Sequence, residues 1–590
     1  MKSRHQYNKP NQRPRFLQGA IILFAVLIVV RLGDLQILNY KFYAALASGQ
    51  QSIFRKLFPL RGSIFTREGT GELYPLATNQ EMSLIYAVPM EIDNPVQTAE
   101  KLAVVLGTDE EELFNKLNKK NDPYEPLKHK LSDAQAEEIK ALKLKGIYFG
   151  PETFRFYPEK NIGGHILGFI GFKGDSKVGM YGLEGYFEDD LVGQPGYLRT
   201  ERDAFGSVIA IGERSITPAR DGDDLVLTID RVLQYKTCTE LQSAVKQYEA
   251  DKGTIIIMEP DTGRILSLCN EPDYEPAEYA SVEDISIFNN PAIFDQYEPG
   301  SVFKPITMAA ALDSGKVAPT TVYTDEGCLK FDKYRICNSD FKNYGRQNMV
   351  GVLEKSINTG AIFAARAAGK DVFKDYVQAF GFGALTGIEL DTENAGNISS
   401  LDKKGDIYMA TASFGQGITV TPLQLVAAYA AIANGGKLVK PYIVEEILRK
   451  NAGTRPCLDQ TCIGQVLPEK TVTTPKIIRQ VISPRAATLL SGMLVSVIEN
   501  GHAKRAGVPG YYLAGKTGTA EVPEAGGGYG DKTIHTFVGF GPVDEPKFVM
   551  LVKLDNPKNV RFADSSTAPV FSKLAKFLLE YYEIPPERGL

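Results

Sequence analysis

The chain has 590 residues, of which 43% are hydrophobic and 23% are charged, and its formal net charge is −5. This length exceeds what one hydrophobic core supports, so at least two globular units are expected. The mildly negative charge argues against nucleic acid as a partner.

The N-terminus combines a basic run with an apolar stretch. Five basic residues and no acidic residue occupy positions 1–15, and residues 16–30 are predominantly apolar. Positive charge on the near side predicts a cytoplasmic tail at 1–15, a transmembrane anchor at 16–38 and export of everything that follows. A cleaved signal peptide is the alternative, but its best cleavage sequence, Ala45-Leu46-Ala47, lies far beyond the apolar core.

The exported part divides into two predicted regions. Residues 50–222 indicate a mixed α/β domain with a charged, helical stretch between positions 95 and 144. The acidic segment at 221–224 lacks the spaced ligands of a calcium loop and predicts a turn before a strand at 225–227. The second domain, residues 223–587, is expected to open with a hairpin formed by 253–258 and 263–269.

The first chemically informative string is Ser301-Val302-Phe303-Lys304. Glu298-Pro299-Gly300 interrupts the preceding structure, and residues 301–312 predict a helix whose first turn carries Ser301 and Lys304 on one face. A helix N-terminus favours an oxygen that becomes nucleophilic. Keeping a lysine neutral at pH 7 costs about 4.6 kcal/mol, so Lys304 needs burial and a second cation, for which Lys516 is the candidate, to act as a base.

A second string contains Ser356 and Asn358, just before an apolar stretch at 359–368. These residue types are common helix caps, and alone they indicate only a loop entering a helix. Their significance comes from order, because they lie about 55 residues after Ser301 and about 160 before Lys516. A serine string, a polar string and a lysine string that follow one another in this order are typical of penicillin-interacting enzymes.

The third string is Lys516-Thr517-Gly518-Thr519. Residues 510–517 also match the phosphate-binding loop pattern, but that loop needs a preceding strand and a following helix, whereas proline and glycine flank this segment. We therefore expect a strand, with Thr517 and Thr519 on a common face and Gly518 admitting a substrate backbone. Such a strand suits a peptide that ends in a carboxylate.

Six cysteines in an exported chain suggest disulfides. Cys328 with Cys337, and Cys457 with Cys462, each bracket a short segment that a local bond could close, although spacing alone does not settle connectivity. Cys238 and Cys269 are interpreted as buried core residues, and no zinc-binding spacing is present.

Two histidines, His502 and His535, fall in the second domain. Neither has the sequence context of a catalytic triad. His535 follows the lysine strand closely, but a structural position in the sheet or a loop is favoured over contact with the site.

The chain resembles the class B penicillin-binding proteins, and the resemblance covers almost everything after the apolar stretch. Besides the three strings, further segments resemble family blocks: residues 61–69, Gly182-Leu183-Glu184 with Leu191-Val192-Gly193, residues 227–230, and Gly415-Gln416-Gly417 through Thr421-Pro422-Leu423-Gln424. Thr66 departs from the usual aspartate, which puts a local turn in doubt. Residues 297–301 and 417–422 resemble the division branch more than the elongation branch.

The resemblance implies an α+β fold. A transmembrane helix would precede an elongated mixed α/β pedestal domain at 50–222 and a transpeptidase domain at 223–587, built on an antiparallel sheet with helices on both faces. It implies no cofactor and no metal. The expected partners are stem peptides ending in D-Ala-D-Ala, β-lactam antibiotics, and a membrane glycan polymerase of the SEDS type with other division proteins.

The resemblance also assigns roles. Lys304 would deprotonate Ser301, and backbone N–H groups of Ser301 and Thr519 would form the oxyanion hole. Ser356 would relay the proton to the leaving amine, and Asn358 would hold Lys304 and the substrate amide. Substrate carboxylate binding would fall to Lys516 with Thr517, Gly518 and Thr519.

Three alternatives share the strings. A D,D-carboxypeptidase or a serine β-lactamase would transfer the acyl group to water. A β-lactam sensor would acylate without turnover, but only about fifteen residues precede the predicted anchor, too few for a cytoplasmic signalling module.

Overall fold

The structure is a computed structural model and describes residues 12–33, 52–68, 71–120, 122–159, 163–174, 176–201, 215–332, 334–450, 469–523 and 528–589. The chain divides into two compact units. One comprises Met1–Pro59 and Gln194–Arg220, and the other comprises Leu60–Gly193 and Asp221–Leu590.

The first part of the chain mixes short helices and strands. In chain order they are α1 (Gln12–Gly33), β1 (Ser52–Leu57), β2 (Ile64–Arg67), β3 (Leu73–Ala87), α2 (Pro95–Leu106), α3 (Glu110–Leu117), β4 (Glu125–Leu131), α4 (Asp133–Ala141), β5 (Ile147–Phe156), α5 (Gly164–Leu167), β6 (Phe169–Lys173), β7 (Ser176–Met180), α6 (Gly182–Tyr186), α7 (Glu188–Leu191), β8 (Gly196–Glu201), β9 (Ser215–Thr217) and β10 (Asp224–Leu227).

Longer helices characterise the remainder. They and their strands are α8 (Arg231–Tyr248), β11 (Lys252–Met258), β12 (Ile265–Glu271), α9 (Pro291–Phe294), α10 (Lys304–Asp313), β13 (Val322–Asp325), β14 (Cys328–Phe331), β15 (Tyr334–Cys337), β16 (Gly345–Asn348), α11 (Met349–Glu354), α12 (Asn358–Ala368), α13 (Lys370–Ala379), α14 (Asp406–Ala412), α15 (Pro422–Ala433), β17 (Lys437–Val439), β18 (Val444–Arg449), β19 (Glu469–Val472), β20 (Ile477–Gln480), α16 (Pro484–Glu499), β21 (Ala514–Pro523), β22 (Tyr529–Gly541), β23 (Phe548–Asp555) and α17 (Thr567–Tyr581).

The first unit contains α1 and a three-stranded antiparallel sheet in the order β1-β8-β9. No helix within the described ranges combines the length and the apolar character that a membrane span requires. The anchor at 16–38 therefore stays a prediction from the sequence.

The region expected to be mixed α/β is built on a seven-stranded sheet in the order β19-β18-β10-β2-β3-β4, with β5 also paired to β3. Helices α2, α3 and α4 bury Leu102, Leu113 and Ile139 in a small core with Ile85 of β3 and Leu127 of β4. The prediction of a helical stretch at 95–144 is only partly right, because β4 interrupts it.

Thr66, the departure from the family pattern, lies within β2 and is fully buried. Its hydroxyl donates a hydrogen bond to the carbonyl of Ile229. The residue therefore belongs to a strand, and its hydroxyl is satisfied inside the core.

The second sheet is five-stranded and antiparallel throughout, in the order β12-β11-β23-β22-β21. Successive residues of β11 and β23 are buried, which indicates cover on both faces. Helices α8 and α17 pack against each other and against strands of this sheet. Helix α15 packs on β11, β22 and β23, and α16 packs on β21 and on α15. The predicted antiparallel sheet with helices on both faces, and the predicted hairpin at 253–269, are confirmed.

Two disulfides occur among the described cysteines. Cys328 and Cys337 face each other across the β14–β15 hairpin, as predicted. Cys238 of α8 and Cys269 of β12, interpreted from the sequence as buried core residues, are also bonded to each other, and Cys269 is buried as expected. The cause of the bond is packing of α8 on β12, which brings their Cα atoms to 5.3 Å. The pair Cys457 and Cys462 lies outside the described residues.

Candidate active site

Ser301 lies in a 3₁₀ turn, Gly300–Phe303, and α10 begins only at Lys304. The α-helix therefore does not begin at Ser301, as the sequence predicted. Ser301 and Lys304 still lie on one face, because residues three apart eclipse in a 3₁₀ turn. Gly300 permits the entry to this turn with a φ of 59°, and its N–H donates to the carbonyl of Gly415 at 3.0 Å. The hydroxyl of buried Tyr429 donates to the carbonyl of Val302 at 2.7 Å.

Lys304 is 1% exposed. Among the described residues, its side-chain nitrogen forms hydrogen bonds with Ser356 only. The Nζ atom lies 2.5 Å from the Ser356 carbonyl oxygen and 3.1 Å from its Oγ atom. Burial, and then the positive charge of Lys516, hold the pKa of Lys304 well below its ordinary value. Lys304 therefore has the environment that a neutral base requires.

Lys516 lies on β21 and is 0% exposed. Its Nζ atom donates to Ser356 Oγ at 3.1 Å and to the Thr517 carbonyl at 3.0 Å. Burial lowers its pKa to about 7. The two lysines thus meet at one hydroxyl, which joins them by a path along which a proton can pass.

Ser356 adopts a φ of 55°, a left-handed conformation that costs a serine on the order of 1 kcal/mol. This conformation precedes α12 and directs both its carbonyl and its hydroxyl to Lys304. Strain of this kind is characteristic of functional sites.

Asn358 is the first residue of α12 and is partly exposed. Its side-chain amide donates to the carbonyl of Cys337, on the disulfide-closed hairpin, at 3.0 Å. The expected contact between Asn358 and Lys304 is not among the hydrogen bonds of the described residues, so this amide is held by β15.

Strand β21 packs directly on the 3₁₀ turn Gly300–Phe303, called the nucleophile turn below because it carries Ser301, the predicted nucleophile. A Cβ atom at Gly518 would lie 3.1 Å from the Pro299 carbonyl oxygen and 3.2 Å from the Val302 nitrogen, so only glycine allows this approach without displacement. Thr517 is 9% exposed, and Thr519, two residues further, shares its face. The Thr519 hydroxyl accepts a hydrogen bond from Ala563 N–H at 3.1 Å.

Ser301 itself is partly exposed, and its hydroxyl makes no hydrogen bond within the part of the chain that the structure describes. The structure therefore brings together Lys304, Ser356 and Lys516 through contacts, and Ser301 with the 517–519 segment through packing.

Among the described residues, neither histidine forms a hydrogen bond with Ser301. His535 is buried opposite Thr519 on β22, with its Nδ1 atom 2.8 Å from Ser566 Oγ and its Nε2 atom 3.2 Å from Thr533 Oγ1. Burial lowers the pKa of His535 to about 4. The Nε2 atom of His502 lies 3.0 Å from the Lys355 carbonyl oxygen.

Sequence reasoning did not identify Glu298 as a site residue. Its carboxylate accepts hydrogen bonds from Gly417 N–H at 2.9 Å and from the Tyr529 hydroxyl at 3.1 Å. These partners are 119 and 231 residues away in the sequence, so no local pattern could associate them. Among the described residues, no group of three or more histidine, cysteine or acidic side chains is arranged to hold a metal ion.

Two family models match the chain. The penicillin binding protein transpeptidase domain matches residues 253–576, and the penicillin-binding protein dimerisation domain matches residues 56–227.

Curated relatives align over nearly the full length. Stage V sporulation protein D of Bacillus subtilis is 35% identical over 578 residues, which cover 96% of this chain and 86% of that protein. Peptidoglycan D,D-transpeptidase FtsI of Escherichia coli K12 is 29% identical over 581 residues, which cover 97% of this chain and 92% of that protein.

Solved structures share the fold. Penicillin binding protein 3 of Mycobacterium tuberculosis, complexed with aztreonam, matches with a TM-score of 0.68 and 24% identity over 91% of this chain and 99% of that one. Penicillin Binding Protein 2X of Streptococcus thermophilus matches with a TM-score of 0.73 and 22% identity over 90% of this chain and 80% of that one.

Proposed function

The chain belongs to the class B penicillin-binding proteins, and from that membership we propose that it crosslinks peptidoglycan stem peptides through an acyl-enzyme on Ser301. The activity is that of a serine-type D,D-transpeptidase, and β-lactams acylate the same serine. The observation that carries the residue assignment is the convergence of Lys304 and Lys516 on Ser356 Oγ beside the turn that holds Ser301.

Acylation begins when neutral Lys304 takes the proton of the Ser301 hydroxyl. The Oγ atom attacks the carbonyl carbon of the penultimate D-alanine, and the N–H groups of Ser301 and Thr519 stabilise the oxyanion. The C–N bond then breaks, and the leaving amine takes a proton that passes from Lys304 through Ser356. D-Alanine departs and an ester on Ser301 remains.

Substrate binding follows from the charge of the strand. Lys516, with the hydroxyls of Thr517 and Thr519, attracts the terminal carboxylate, and Gly518 lets the substrate backbone lie against β21. Asn358 holds the substrate amide through its side-chain oxygen, since its side-chain nitrogen donates to the Cys337 carbonyl. An amine from a neighbouring stem peptide attacks the ester, and Ser301 regains its proton.

The remaining assignments rest on family membership and on the sequence. Residues 1–15 form a cytoplasmic tail, 16–38 a single-pass anchor in the inner membrane, 50–222 a pedestal and 223–587 the transpeptidase domain. The enzyme acts in septal cell-wall synthesis, beside a SEDS-type glycan polymerase and other division proteins. Extraction of the full chain from membranes by alkaline carbonate, without detergent, would contradict the anchor.

The decisive test is covalent labelling of the detergent-solubilised full chain by a fluorescent penicillin. Ser301→Ala is expected to abolish labelling while the far-ultraviolet circular dichroism remains that of the wild type. Labelling that persists in this variant would overturn the assignment. Intact-mass spectra taken over time separate a stable adduct, expected of a transpeptidase, from rapid loss, which would favour a β-lactamase.

A further inference from the structure

Glu298 occupies a position beside the nucleophile that the acylation chemistry does not use. It precedes Ser301 by three residues and is partly buried. Both carboxylate oxygens are held, one by Gly417 N–H at 2.9 Å and the other by the Tyr529 hydroxyl at 3.1 Å. The side chain is therefore fixed in orientation and does not move freely in solvent.

The charge of this carboxylate is not compensated. Within the described residues, no lysine, arginine or histidine forms an ion pair with Glu298 within 4.0 Å. Its two partners are neutral hydrogen-bond donors. Two neutral donors fix the carboxylate and leave its negative charge available to an approaching cation. Burial raises the pKa of Glu298, although the two hydrogen bonds oppose that shift.

Lys516 and Glu298 lie towards opposite ends of β21. Lys516 lies near the beginning of the strand, whereas Tyr529, which holds Glu298, pairs with Pro523 at its end. Between them the strand crosses the nucleophile turn, where Gly518 meets Pro299 and a Cβ on Gly300 would meet Ala520 at 3.1 Å. The turn that carries Ser301 therefore packs on β21 between Lys516 and the end of the strand near which Glu298 is held.

Transpeptidation brings first a carboxylate and then an amine to the same serine. The donor ends in a carboxylate, which Lys516 attracts. The acceptor is a primary amine, which is an ammonium ion at neutral pH and must arrive on the other side of the acyl group.

We propose that Glu298 is the docking group for the acceptor ammonium of the neighbouring stem peptide. This inference rests on the proposed transpeptidase function. The ammonium transfers one proton to the Glu298 carboxylate, its nitrogen forms the amide bond to the acyl carbon, and the ester C–O bond breaks. The second proton passes through Lys304 to Ser301 Oγ, and Glu298 returns its proton to water.

The test is the partition of the acyl-enzyme between amine and water. The full chain is acylated by a thioester analogue of the D-alanyl donor, with a cationic D-amino acid amide or neutral hydroxylamine as acceptor. Glu298→Gln keeps the size of the side chain and an oxygen for Gly417. It is expected to lower the ratio of aminolysis to hydrolysis for the cationic acceptor at least about tenfold, as for loss of one charge-assisted hydrogen bond. The ratio for hydroxylamine should fall by much less.

Two further variants separate charge from structure. Tyr529→Phe removes a hydrogen bond but keeps the carboxylate, and a smaller fall is expected. Glu521→Gln removes an exposed carboxylate from the same end of β21 and should leave the ratio unchanged.

The outcomes are distinct. An unchanged ratio in Glu298→Gln, an equal fall for both acceptors, or a larger effect of Glu521→Gln would overturn the docking role while leaving acylation of Ser301 intact. A wild-type enzyme that is not acylated at Ser301, or that transfers only to water, would overturn the proposed function itself.

Discussion

At the scale of single residues, the site depends on Ser356. Its hydroxyl is the common partner of two buried lysines, and its carbonyl holds the first of them. Two ammonium ions that share one hydroxyl repel each other, so loss of a proton from one is favoured. This arrangement makes the lysines a coupled pair, in which burial and the charge of Lys516 lower the pKa of Lys304.

The coupled pair predicts the pH dependence of acylation. In the proposed mechanism, acylation requires neutral Lys304 and charged Lys516. The rate should therefore fall in acid as Lys304 gains a proton, and fall above about pH 7 as Lys516 loses one. The second-order rate constant for penicillin, measured from pH 5 to 9, should be bell-shaped.

Replacing the second cation tests its electrostatic role. In Lys516→Met the acid limb should move to higher pH, because the positive charge that lowers the pKa of Lys304 has gone. An acid limb at the same pH would show that Lys516 does not act on Lys304 in this way.

His535 predicts a pH dependence of stability. Its pKa falls from 6.5 to about 4 on folding, so the unfolded chain binds more protons and stability declines as the pH drops from about 6.5 towards 4. Urea unfolding at pH 7 and pH 4.5 should show that His535→Gln removes about 2 kcal/mol of this decline. An identical decline in both proteins would contradict the prediction.

At the scale of secondary structure elements, β21 and the nucleophile turn form one unit. The absence of a side chain at Gly518 allows the strand to approach the 3₁₀ turn without crowding, since an added Cβ would lie 3.0–3.2 Å from atoms of Pro299 and Val302. The turn is held from the other side by Gly415 and by Tyr429 of α15. A serine outside a regular helix is thus fixed by three elements distant in sequence.

Gly518→Ala tests this contact. The added methyl group would lie within 3.2 Å of two backbone atoms, so we expect a loss of about 1–3 kcal/mol in unfolding free energy and at least about tenfold slower acylation by penicillin. Thermal unfolding and stopped-flow acylation measure the two effects.

Gly492→Ala is the matched control. Gly492 is exposed within α16, and an added Cβ would have no neighbour within 4 Å. Removing a glycine from a helix interior should raise stability by about 0.5–1 kcal/mol with acylation unchanged. Equal effects of the two substitutions on stability and on acylation would mean that the close approach of β21 to the turn determines neither.

At the scale of the whole molecule, the second compact unit joins the two regions matched by the family models. Strands β18 and β19 extend the sheet of β2, β3 and β4, and β10 pairs in parallel with β2. Buried Ile64 and Leu183 belong to the same hydrophobic cluster as Ile256 and Phe537. Arg67 of β2 pairs with Glu446 of β18 at 2.9 Å.

The shared sheet predicts that a fragment beginning at residue 223 is less stable than one beginning at residue 60. The shorter fragment exposes the edge of β10 and apolar side chains worth about 1.5–3 kcal/mol each, so a loss of several kcal/mol and a tendency to aggregate are expected. Thermal unfolding and light scattering compare the two, and equal midpoints without aggregation would contradict the prediction.

The sequence by itself determined the parts of this protein that depend on local pattern. The three strings, the turn before β10, the β11–β12 hairpin and the strand carrying Lys516 follow from spacing, alternation and turn residues, and resemblance supplied the order of domains. Local pattern failed where a second element intervened, as at β4, or where a 3₁₀ turn replaced the first helical turn at Ser301.

Only the tertiary structure decided which distant groups meet. Three sets of contacts join segments that are 31 to 231 residues apart. They are the Cys238–Cys269 bond, the hydrogen bonds of Lys304 and Lys516 to Ser356, and the hydrogen bonds of Gly417 and Tyr529 to Glu298. Periodicity shows which face of a helix or strand is apolar, but not which other element will cover it. The pairing of faces is determined when the packed core forms. Burying any complementary pair of apolar faces is favourable, and the entropic cost of closing the chain between them grows only slowly with its length.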